Sequence, residues 1–194
     1  MNTISLSFGK KIPISQCQIK NTETRKFVPA TFYELDCHDE SDMDELKDLK
    51  GKWHFLGSIY YNMLAKNAYY QKTQRETPNK FYILENDKKE IVGLCQVENR
   101  NNNIFVNLLE SAPDKKYKYV GQTMLASMGN QVLNNGGQQL TIKHPTLDAY
   151  EFYIKKCKFK RHFNSDLKMN QSEIEGLIKR TEKRTHGEII KIES

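Results

Sequence analysis

Short stretches of the chain alternate hydrophobic and polar residues, which is the pattern of half-buried strands. Near the start, this pattern predicts a hairpin of strands at residues 3–9 and 13–19. The middle of the chain holds three apolar segments, at residues 81–86, 90–99 and 104–111, separated by short polar turns. Because such turns join neighbouring antiparallel strands, we expect these three segments to form an antiparallel meander.

Three other regions have the spacing of helices. Ser41 is expected to cap the first, because acidic residues follow it in the first turn. Apolar residues recur at helical intervals from Trp53 to Tyr70 and again over residues 120–135. Gly136-Gly137 is a strong signal for the end of that third helix.

A further strand at residues 138–144 follows the helix at 120–135. Together with the strand at 104–111 they make a β-α-β unit, which places a parallel pair in an otherwise antiparallel sheet. We therefore predict an α/β (α+β) fold with a mixed, mostly antiparallel sheet flanked by helices. A helix at 147–157 and a charged tail over 164–194 complete the pattern.

Length and charge narrow the class of protein. The 194 residues predict a single domain over 1–194, and 30 Lys and Arg against 24 Asp and Glu give a net charge of +6. Charges of both signs are mixed along the chain, so nucleic acid is not the favoured partner. No apolar run approaches the roughly 20 residues of a membrane span, and the N-terminus does not resemble a signal peptide. We expect a cytoplasmic protein that does not bind membranes.

The four cysteines are far apart and form no C-x-x-C pair, so we expect free thiols in a reducing compartment. They are Cys17, Cys37, Cys95 and Cys157. Cys37 is followed by His38, Asp39 and Glu40, which are residue types that bind metals. Because no second group of ligands lies near them in the sequence, we interpret this segment as an acidic loop leading into a helix, and predict no metal site.

The segment most informative about chemistry leads from the strand at 104–111 into the helix at 120–135. Its loop carries Lys115, Lys116 and Lys118, and Gly121 lies in the first helical turn. The free N–H groups and the positive dipole end of a helix start bind phosphate, and a glycine there lets a ligand approach the backbone. These residues suit a pyrophosphate, although a solvated basic loop has the same pattern.

This order of strand, K-Y-K-Y-V-G loop, helix and strand resembles the Gcn5-related N-acetyltransferase (GNAT) superfamily over about residues 80–163. In that family, a [QR]-x-x-G-x-[GA] loop wraps the pyrophosphate of acetyl-coenzyme A (acetyl-CoA). By this resemblance Lys116 stands at the Gln/Arg position, Tyr119 at the first glycine and Gly121 at the second small residue. The Tyr119 side chain could narrow the phosphate cradle or point to solvent. Residues 1–40 and 164–194 are peripheral to the resemblance.

The resemblance implies direct transfer of an acetyl group from acetyl-CoA to an amine of a small molecule or peptide. The strand at 104–111 is expected to splay from the strand at 138–144, so that backbone groups of Leu109, Glu110 and Ser111 can pair with the pantetheine arm. The residues predicted to bind the cofactor are Leu109, Ser111, Lys116, Lys118, Tyr119, Val120, Gly121 and Gln122.

Two side chains are assigned to catalysis by the same resemblance. Glu110 is the predicted base for the attacking amine, unless it points to the opposite face and is solvated; Glu98 is the reserve. Tyr153 is the predicted acid for the departing thiolate. Its match requires one inserted residue before Cys157; without that insertion, the family tyrosine falls on Ile154. Lys158 replaces a family glycine in either register.

Two other functions remain open. Tyr119 and Lys158, in place of family glycines, favour a non-catalytic member of the fold that binds coenzyme A or a protein. The net charge and the KRTEKR run in the tail suggest a basic RNA- or ribosome-associated module. The chain could be a monomer or a homodimer, because edge strands at its ends can either cap a sheet or extend it across two subunits.

Overall fold

The computed structural model of the protein describes residues 11–47, 49, 52–54 and 56–192. Its strands are β1 (Ile12–Asn21), β2 (Phe27–Glu34), β3 (Asn79–Asn86), β4 (Ile91–Arg100), β5 (Asn103–Ser111), β6 (Tyr117–Lys118), β7 (Gln139–Ile142), β8 (Lys160–Arg161), β9 (Leu167–Asn170) and β10 (Ile190–Lys191). Its helices are α1 (Glu40–Lys47), α2 (Leu56–Thr73), α3 (Val120–Asn134), α4 (Leu147–Glu151), which continues as a π-helix (Phe152–Cys157), and α5 (Gln171–Thr185).

The strands of the described residues form one sheet in the order β10-β1-β2-β3-β4-β5-β7-β9-β8, and β6 pairs with β1. The predicted meander is confirmed, since β3, β4 and β5 pair antiparallel in succession. The predicted β-α-β unit is also confirmed: β5 and β7 are parallel, and α3 connects them. The sheet is therefore mixed and mostly antiparallel, as its polar and apolar pattern predicts.

Helices cover both faces of this sheet. On one face α3 and α5 pack against each other, with Met124, Met128 and Ile174 completely buried. On the other face α1 and α2 bury Leu46 and Met63 against the sheet. Alternate residues of β3 belong to the two hydrophobic cores. Phe81 and Ile83 pack towards α2, while Tyr82 and Leu84 pack towards α3.

One sequence-based expectation is wrong, one lies outside the described residues, and two strands were not predicted. The capping role of Ser41 is wrong, because α1 already begins at Glu40 and Ser41 lies inside it. The strand at residues 3–9 lies outside the described residues. The sequence pattern missed β6, inside the basic loop, and β9, which pairs antiparallel with β7 in the charged tail. Both depend on partners distant in sequence, so local alternation does not reveal them.

The glycine pair after α3 ends the helix as predicted. Gly136 has a φ of 74°, and its N–H donates to the Leu133 carbonyl at 3.1 Å. The Gly137 N–H donates to the Val132 carbonyl at 2.8 Å. A Cβ on Gly137 would lie 2.0 Å from the Asn102 carbonyl oxygen, so only glycine fits this approach to the β4–β5 turn.

Candidate active site

A gap opens where β5 and β7 separate. Pairing runs only from Ile104 with Leu140 to Val106 with Ile142, and the Lys143 N–H then donates to the Val106 carbonyl at 2.9 Å. Beyond that point β5 continues to Ser111 beside β4, whereas the chain after β7 turns away into α4. The predicted splay of these two strands is therefore present.

A β-bulge lies at the start of the gap. Gln96 of β4 is opposite Leu108, but the next residue, Val97, is opposite Val106, so Asn107 is an extra residue on β5. The bulge shifts the alternation. Val106 and Leu109 both pack on the α3 face, and Leu108 packs on the α2 face. No local pattern in the sequence marked Asn107.

A cavity of about 310 Å³ lies at the start of α3, between β5 and the π-helix. Its lining residues are Leu109, Ser111, Tyr117, Tyr119, Val120, Gly121, Gln122, Ala149, Phe152 and Tyr153. A second cavity of about 160 Å³ fills the gap between β5 and β7. Leu109, Ala149 and Tyr153 line both cavities, so these three residues mark the junction between the helix start and the strand gap.

The first turn of α3 has no side-chain cap and no acidic residue. Its first backbone hydrogen bond runs from the Thr123 N–H to the Tyr119 carbonyl at 2.8 Å. Among the described residues, nothing accepts a hydrogen bond from the N–H groups of Val120, Gly121 and Gln122, all of which line the cavity. Such groups, together with the helix dipole, favour an anionic ligand.

Space at the start of α3 is limited. A Cβ on Gly121 would lie 3.2 Å from the Phe152 ring and 3.8 Å from Ser111 Oγ. A larger residue at position 121 would therefore fill the space in front of the free N–H groups. The Gln122 side chain points elsewhere, since its Nε2 donates to the Lys156 carbonyl at 3.3 Å, which leaves its backbone N–H as the group that can serve a ligand.

Tyr119 has a backbone conformation that favours glycine. It has φ 70° and ψ 2°, and Lys158, at the other family glycine position, has φ 72° and ψ 31°. This left-handed conformation costs a non-glycine residue about 1–2 kcal/mol. The half-buried Tyr119 side chain lines the cavity wall. Both residues thus have a backbone conformation that glycine would adopt more readily.

The predicted lysines lie away from this cavity. Lys116 is exposed, pairs with Asp114 at 3.5 Å and lines a different cavity of about 480 Å³ beside Trp53. Lys118 is exposed on β6. The pairing of β6 with β1 fixes this loop, and the Tyr117 hydroxyl accepts a hydrogen bond from Asn86 at 2.8 Å. The cavity at α3 is therefore built from backbone N–H groups and uncharged side chains.

Glu110 lies on the α1–α2 face of β5. It is half-buried, and its Oε1 accepts a hydrogen bond from the His54 N–H at 2.8 Å. The reserve candidate, Glu98, is opposite Phe105 near the start of β5 and pairs with Arg100 at 2.6 Å. Of the two carboxylates, Glu110 lies on the part of β5 beyond Val106, where β5 no longer pairs with β7.

Tyr153 is 6% exposed and lies in the π-helix. Burial raises the pKa of its hydroxyl well above the ordinary value, and the neighbouring Cys157 and Cys95 add to the effect. The hydroxyl therefore stays protonated at neutral pH. A π-helical turn holds one more residue than an α-helical turn, which is compatible with the one inserted residue that the Tyr153 register predicts here.

A charged network fixes the end of β7 at the mouth of the gap. Asp166 accepts hydrogen bonds from Lys143 Nζ at 2.9 Å and from the His144 N–H at 3.1 Å. Burial opposes the charged form, but these donors and the Lys143 charge outweigh it and hold the pKa of Asp166 below its ordinary value. Asp166 lies in the segment 164–194, outside the family resemblance, and only the fold brings it to the end of β7.

Comparisons of the sequence with protein-family models and with curated proteins return no match. Comparison of the structure does find relatives. A spermidine N-acetyltransferase SpeG chimera from Vibrio cholerae and human SSAT superimposes with a TM-score of 0.56, 13% identity, and coverage of 75% of this chain and 97% of its own. The PaiA N-acetyltransferase of Thermoplasma acidophilum, in complex with coenzyme A, gives a TM-score of 0.50 at 15% identity, covering 73% and 98%.

Among the described residues, no helix combines the length and the apolar character that crossing a membrane requires. In this chain, a mixed, mostly antiparallel sheet carries the bulged and splayed β5, and α3 follows it. The chain therefore shares the fold of these N-acetyltransferase structures.

Proposed function

We propose that the protein is an N-acetyltransferase that moves an acetyl group directly from acetyl-CoA to an amine. The observation that carries this proposal is the open start of α3. Three residues whose backbone N–H groups have no acceptor among the described residues line a cavity, and this cavity shares three lining residues with the cavity in the gap between β5 and β7. Buried backbone donors are almost always satisfied in proteins, so a phosphate-bearing ligand is the natural acceptor for these groups.

The residues present fit acetyl-CoA, which supplies the acetyl group as a thioester when bound. The N–H groups of Val120, Gly121 and Gln122 would hold its pyrophosphate. Backbone groups of Leu109 and Ser111 would hold its pantetheine arm along β5. Lys116 and Lys118 take no part in this proposal in their observed positions, because both lie outside the cavity.

In this proposal Glu110 and Tyr153 divide the proton transfers. Glu110 receives the proton of the acceptor amine, because its carboxylate lies on the face of β5 that α1 and α2 cover. Tyr153 holds its own proton and donates it to the departing thiolate. A backbone N–H of β5 beyond Val106 stabilises the oxyanion. Cys157 is not a nucleophile, because burial raises the pKa of its thiol to about 12.

The acceptor class follows from the relatives and is part of the proposal. The SpeG structures are of spermidine and spermine N-acetyltransferases, so we propose a small-molecule amine and place polyamines first in an acceptor screen. We propose that the protein acts in the cytoplasm, which its four buried free thiols support.

Thermal melting with acetyl-CoA and with desacetyl-CoA tests cofactor binding. A ligand at 100 times its Kd adds about 2.7 kcal/mol of stability. We expect this shift in the wild type and none in Gly121→Trp, whose side chain would fill the cradle. Gly57→Trp is the matched control, because Gly57 is also the second residue of its helix and has open space around it. Absence of a shift in the wild type at millimolar ligand would refute the proposal.

Turnover with the acceptor panel tests the two catalytic roles. We expect Glu110→Gln and Tyr153→Phe each to lower kcat by about 10²–10⁴-fold, the range of general acid–base catalysis, while the acetyl-CoA melting shift is retained. Binding of acetyl-CoA without transfer to any amine would instead support the non-catalytic alternative.

A further inference from the structure

A second group of reactive side chains lies at the other end of the sheet from α3. The loop between β2 and α1 carries Asp36, Cys37 and His38 in succession. This loop is attached to the start of β3, because the Leu35 N–H donates to the Phe81 carbonyl at 2.8 Å. The fold brings Glu76, from the loop after α2, against the same group: its Oε1 lies 3.0 Å from His38 Nε2.

The donor atoms are spaced as metal ligands are. A carboxylate oxygen of Asp36, Cys37 Sγ and a ring nitrogen of His38 all lie within 4.8 Å of one another. Bond lengths of about 2.3 Å to sulfur and about 2.0–2.1 Å to nitrogen or oxygen place tetrahedral S and N ligands roughly 3.6 Å apart and N and O ligands roughly 3.4 Å apart. The observed distances are 3.7 Å from Cys37 Sγ to His38 Nε2 and 3.0 Å from His38 Nε2 to Glu76 Oε1.

Neighbouring groups already orient three of these ligands. Asp36 Oδ1 accepts the His38 N–H at 2.9 Å, which holds the two residues together. His38 Nδ1 lies 3.4 Å from Asn67 Oδ1, so a proton on Nδ1 would leave the Nε2 lone pair for a metal. Lys66 Nζ holds the other oxygen of Glu76 at 3.2 Å. These contacts are the outer-shell partners that metal ligands normally have.

We propose that Asp36, Cys37, His38 and Glu76 form a structural zinc site. The thiol and the imidazole favour zinc over magnesium or calcium, which prefer oxygen ligands. Four protein ligands close the coordination sphere, which is typical of structural rather than catalytic zinc. Three anionic ligands around Zn²⁺ leave one net negative charge, which the Lys66 ammonium offsets.

Zinc binding at this site has a defined proton balance. The Cys37 thiol releases its proton to solvent as sulfur binds the metal. The hydrogen bond from His38 Nε2 to Glu76 is replaced by two bonds to the ion, and the neutral imidazole then carries its one proton on Nδ1, towards Asn67 Oδ1. The ion would then join the β2–α1 loop to the loop after α2, and so fasten the α1–α2 layer to the end of the sheet. The prediction of no metal site rested on the absence of a second ligand group nearby in the sequence, and Glu76 is 38 residues from His38.

Zinc titration of the full chain after removal of metals by a chelator tests this inference. We expect one Zn²⁺ per chain in the wild type, and a loss of affinity in Cys37→Ser and Glu76→Gln larger than the 10–100-fold typical of outer-shell partners. Cys17→Ser is the matched control, because Cys17 is also a buried free thiol and a hydroxyl can keep its hydrogen bond to the Ala30 carbonyl. This variant should bind zinc as the wild type does.

Cobalt substitution identifies the sulfur ligand. The Co²⁺ protein should show a thiolate-to-cobalt charge-transfer band that Cys37→Ser abolishes and Cys17→Ser retains. Far-UV circular dichroism confirms that each variant is folded; the Glu76 side chain is 58% exposed, so Glu76→Gln keeps the test valid even if Cys37→Ser unfolds. A wild-type protein that binds no stoichiometric zinc, or binds it equally well in Glu76→Gln, would show that the cluster is only an ion-pair network.

Discussion

Helices α3 and α5 are each 15 residues long and pack against each other on the same face of the sheet, yet they begin differently. At α5, the Asn170 side chain accepts the Glu173 N–H at 3.1 Å, and Glu173 Oε2 accepts the Asn170 N–H at 2.9 Å. This reciprocal pair is a capping box. At α3, Tyr119 stands in the left-handed region and no side chain caps the helix.

The difference separates a helix start that serves the fold from one that is available to a ligand. At α5 the sequence itself supplies acceptors for the backbone donors, and no cavity is needed there. At α3 the donors lie against a cavity of about 310 Å³, and the residue that could have capped them is an aromatic one. An uncapped helix start beside a cavity is suited to an anionic ligand, as the proposed function requires.

A side chain that caps the start of α3 should have the largest effect in this comparison, a loss of acetyl-CoA affinity. Tyr119→Asp places a carboxylate at the start of α3, where it can accept the free N–H groups and repel phosphate. We expect acetyl-CoA affinity to fall by about 10–100-fold, which is about 1.4–2.7 kcal/mol, while stability without ligand is retained or rises. Isothermal titration calorimetry measures the first effect and thermal melting the second.

Tyr119→Asn is the control for this experiment, because asparagine also tolerates the left-handed region but carries no charge. It should bind acetyl-CoA more tightly than Tyr119→Asp does. Equal affinity in the wild type and Tyr119→Asp would mean that phosphate does not bind at this helix start.

Removing the cap of α5 should have a smaller effect, which is a loss of folding stability and not of acetyl-CoA affinity. Asn170→Ala leaves the Glu173 N–H without its acceptor, so we expect a loss of about 1 kcal/mol of folding stability. For a chain of this size, that lowers Tm by about 2–4 °C. Acetyl-CoA affinity should not change. If Asn170→Ala weakened acetyl-CoA binding as strongly as Tyr119→Asp, the contrast between the two helices would be wrong.

The stability that the capping box of α5 contributes should also depend on pH. Burial raises the pKa of Glu173, but the Lys160 ammonium and the Asn170 N–H outweigh burial and hold it below its ordinary value. A carboxylate with a lowered pKa contributes stability above its unfolded pKa, about 4.3, and loses that contribution as the pH falls through the folded value. The stability difference between wild type and Glu173→Gln should therefore be present at pH 7 and shrink below about pH 4.

Chemical denaturation at several pH values measures this difference. Glu175→Gln, on the exposed side of the same helix, is the control and should show little difference from wild type at any of these pH values. A Glu173→Gln difference that stayed constant down to pH 3 would mean that the charge of Glu173 adds nothing to the cap.

Much of the fold follows from sequence because periodicity reports which face of an element is buried. Periodicity predicted the meander of β3 to β5 and helix α3, and the glycine pair predicted where α3 ends. Strands β6 and β9 are not, since their pairing with β1 and β7 depends on residues far away in sequence. Asn107 and the π-helix each add one residue to a regular element, and no local signal marks either addition.

The candidate site, like the fold, could be predicted from the sequence only in part. The start of α3 could be located from the strand-loop-helix order and Gly121. The surroundings of the two lysines could not, because Lys116 pairs with Asp114 and Lys118 lies on β6, whose pairing with β1 depends on distant residues. Backbone position is set by the elements, whereas the direction of a long side chain is set by whichever partner the fold supplies.

The smallest expected effect concerns the two residues that replace family glycines. The left-handed conformation costs a non-glycine residue about 1–2 kcal/mol, and glycine loses about 0.5–1 kcal/mol more backbone entropy on folding, so Tyr119→Gly and Lys158→Gly should each raise stability by about half a kcal/mol. Lys158 is exposed and lies outside the cavity, so Lys158→Gly should leave acetyl-CoA affinity unchanged.

Tyr119→Gly also removes a ring from the cavity wall, and calorimetry with acetyl-CoA shows whether that ring hinders or helps binding. A gain in affinity would mean that the ring narrows the cradle, a loss would mean that the ring contacts the ligand, and failure of both variants to gain stability would mean that neither backbone position is strained.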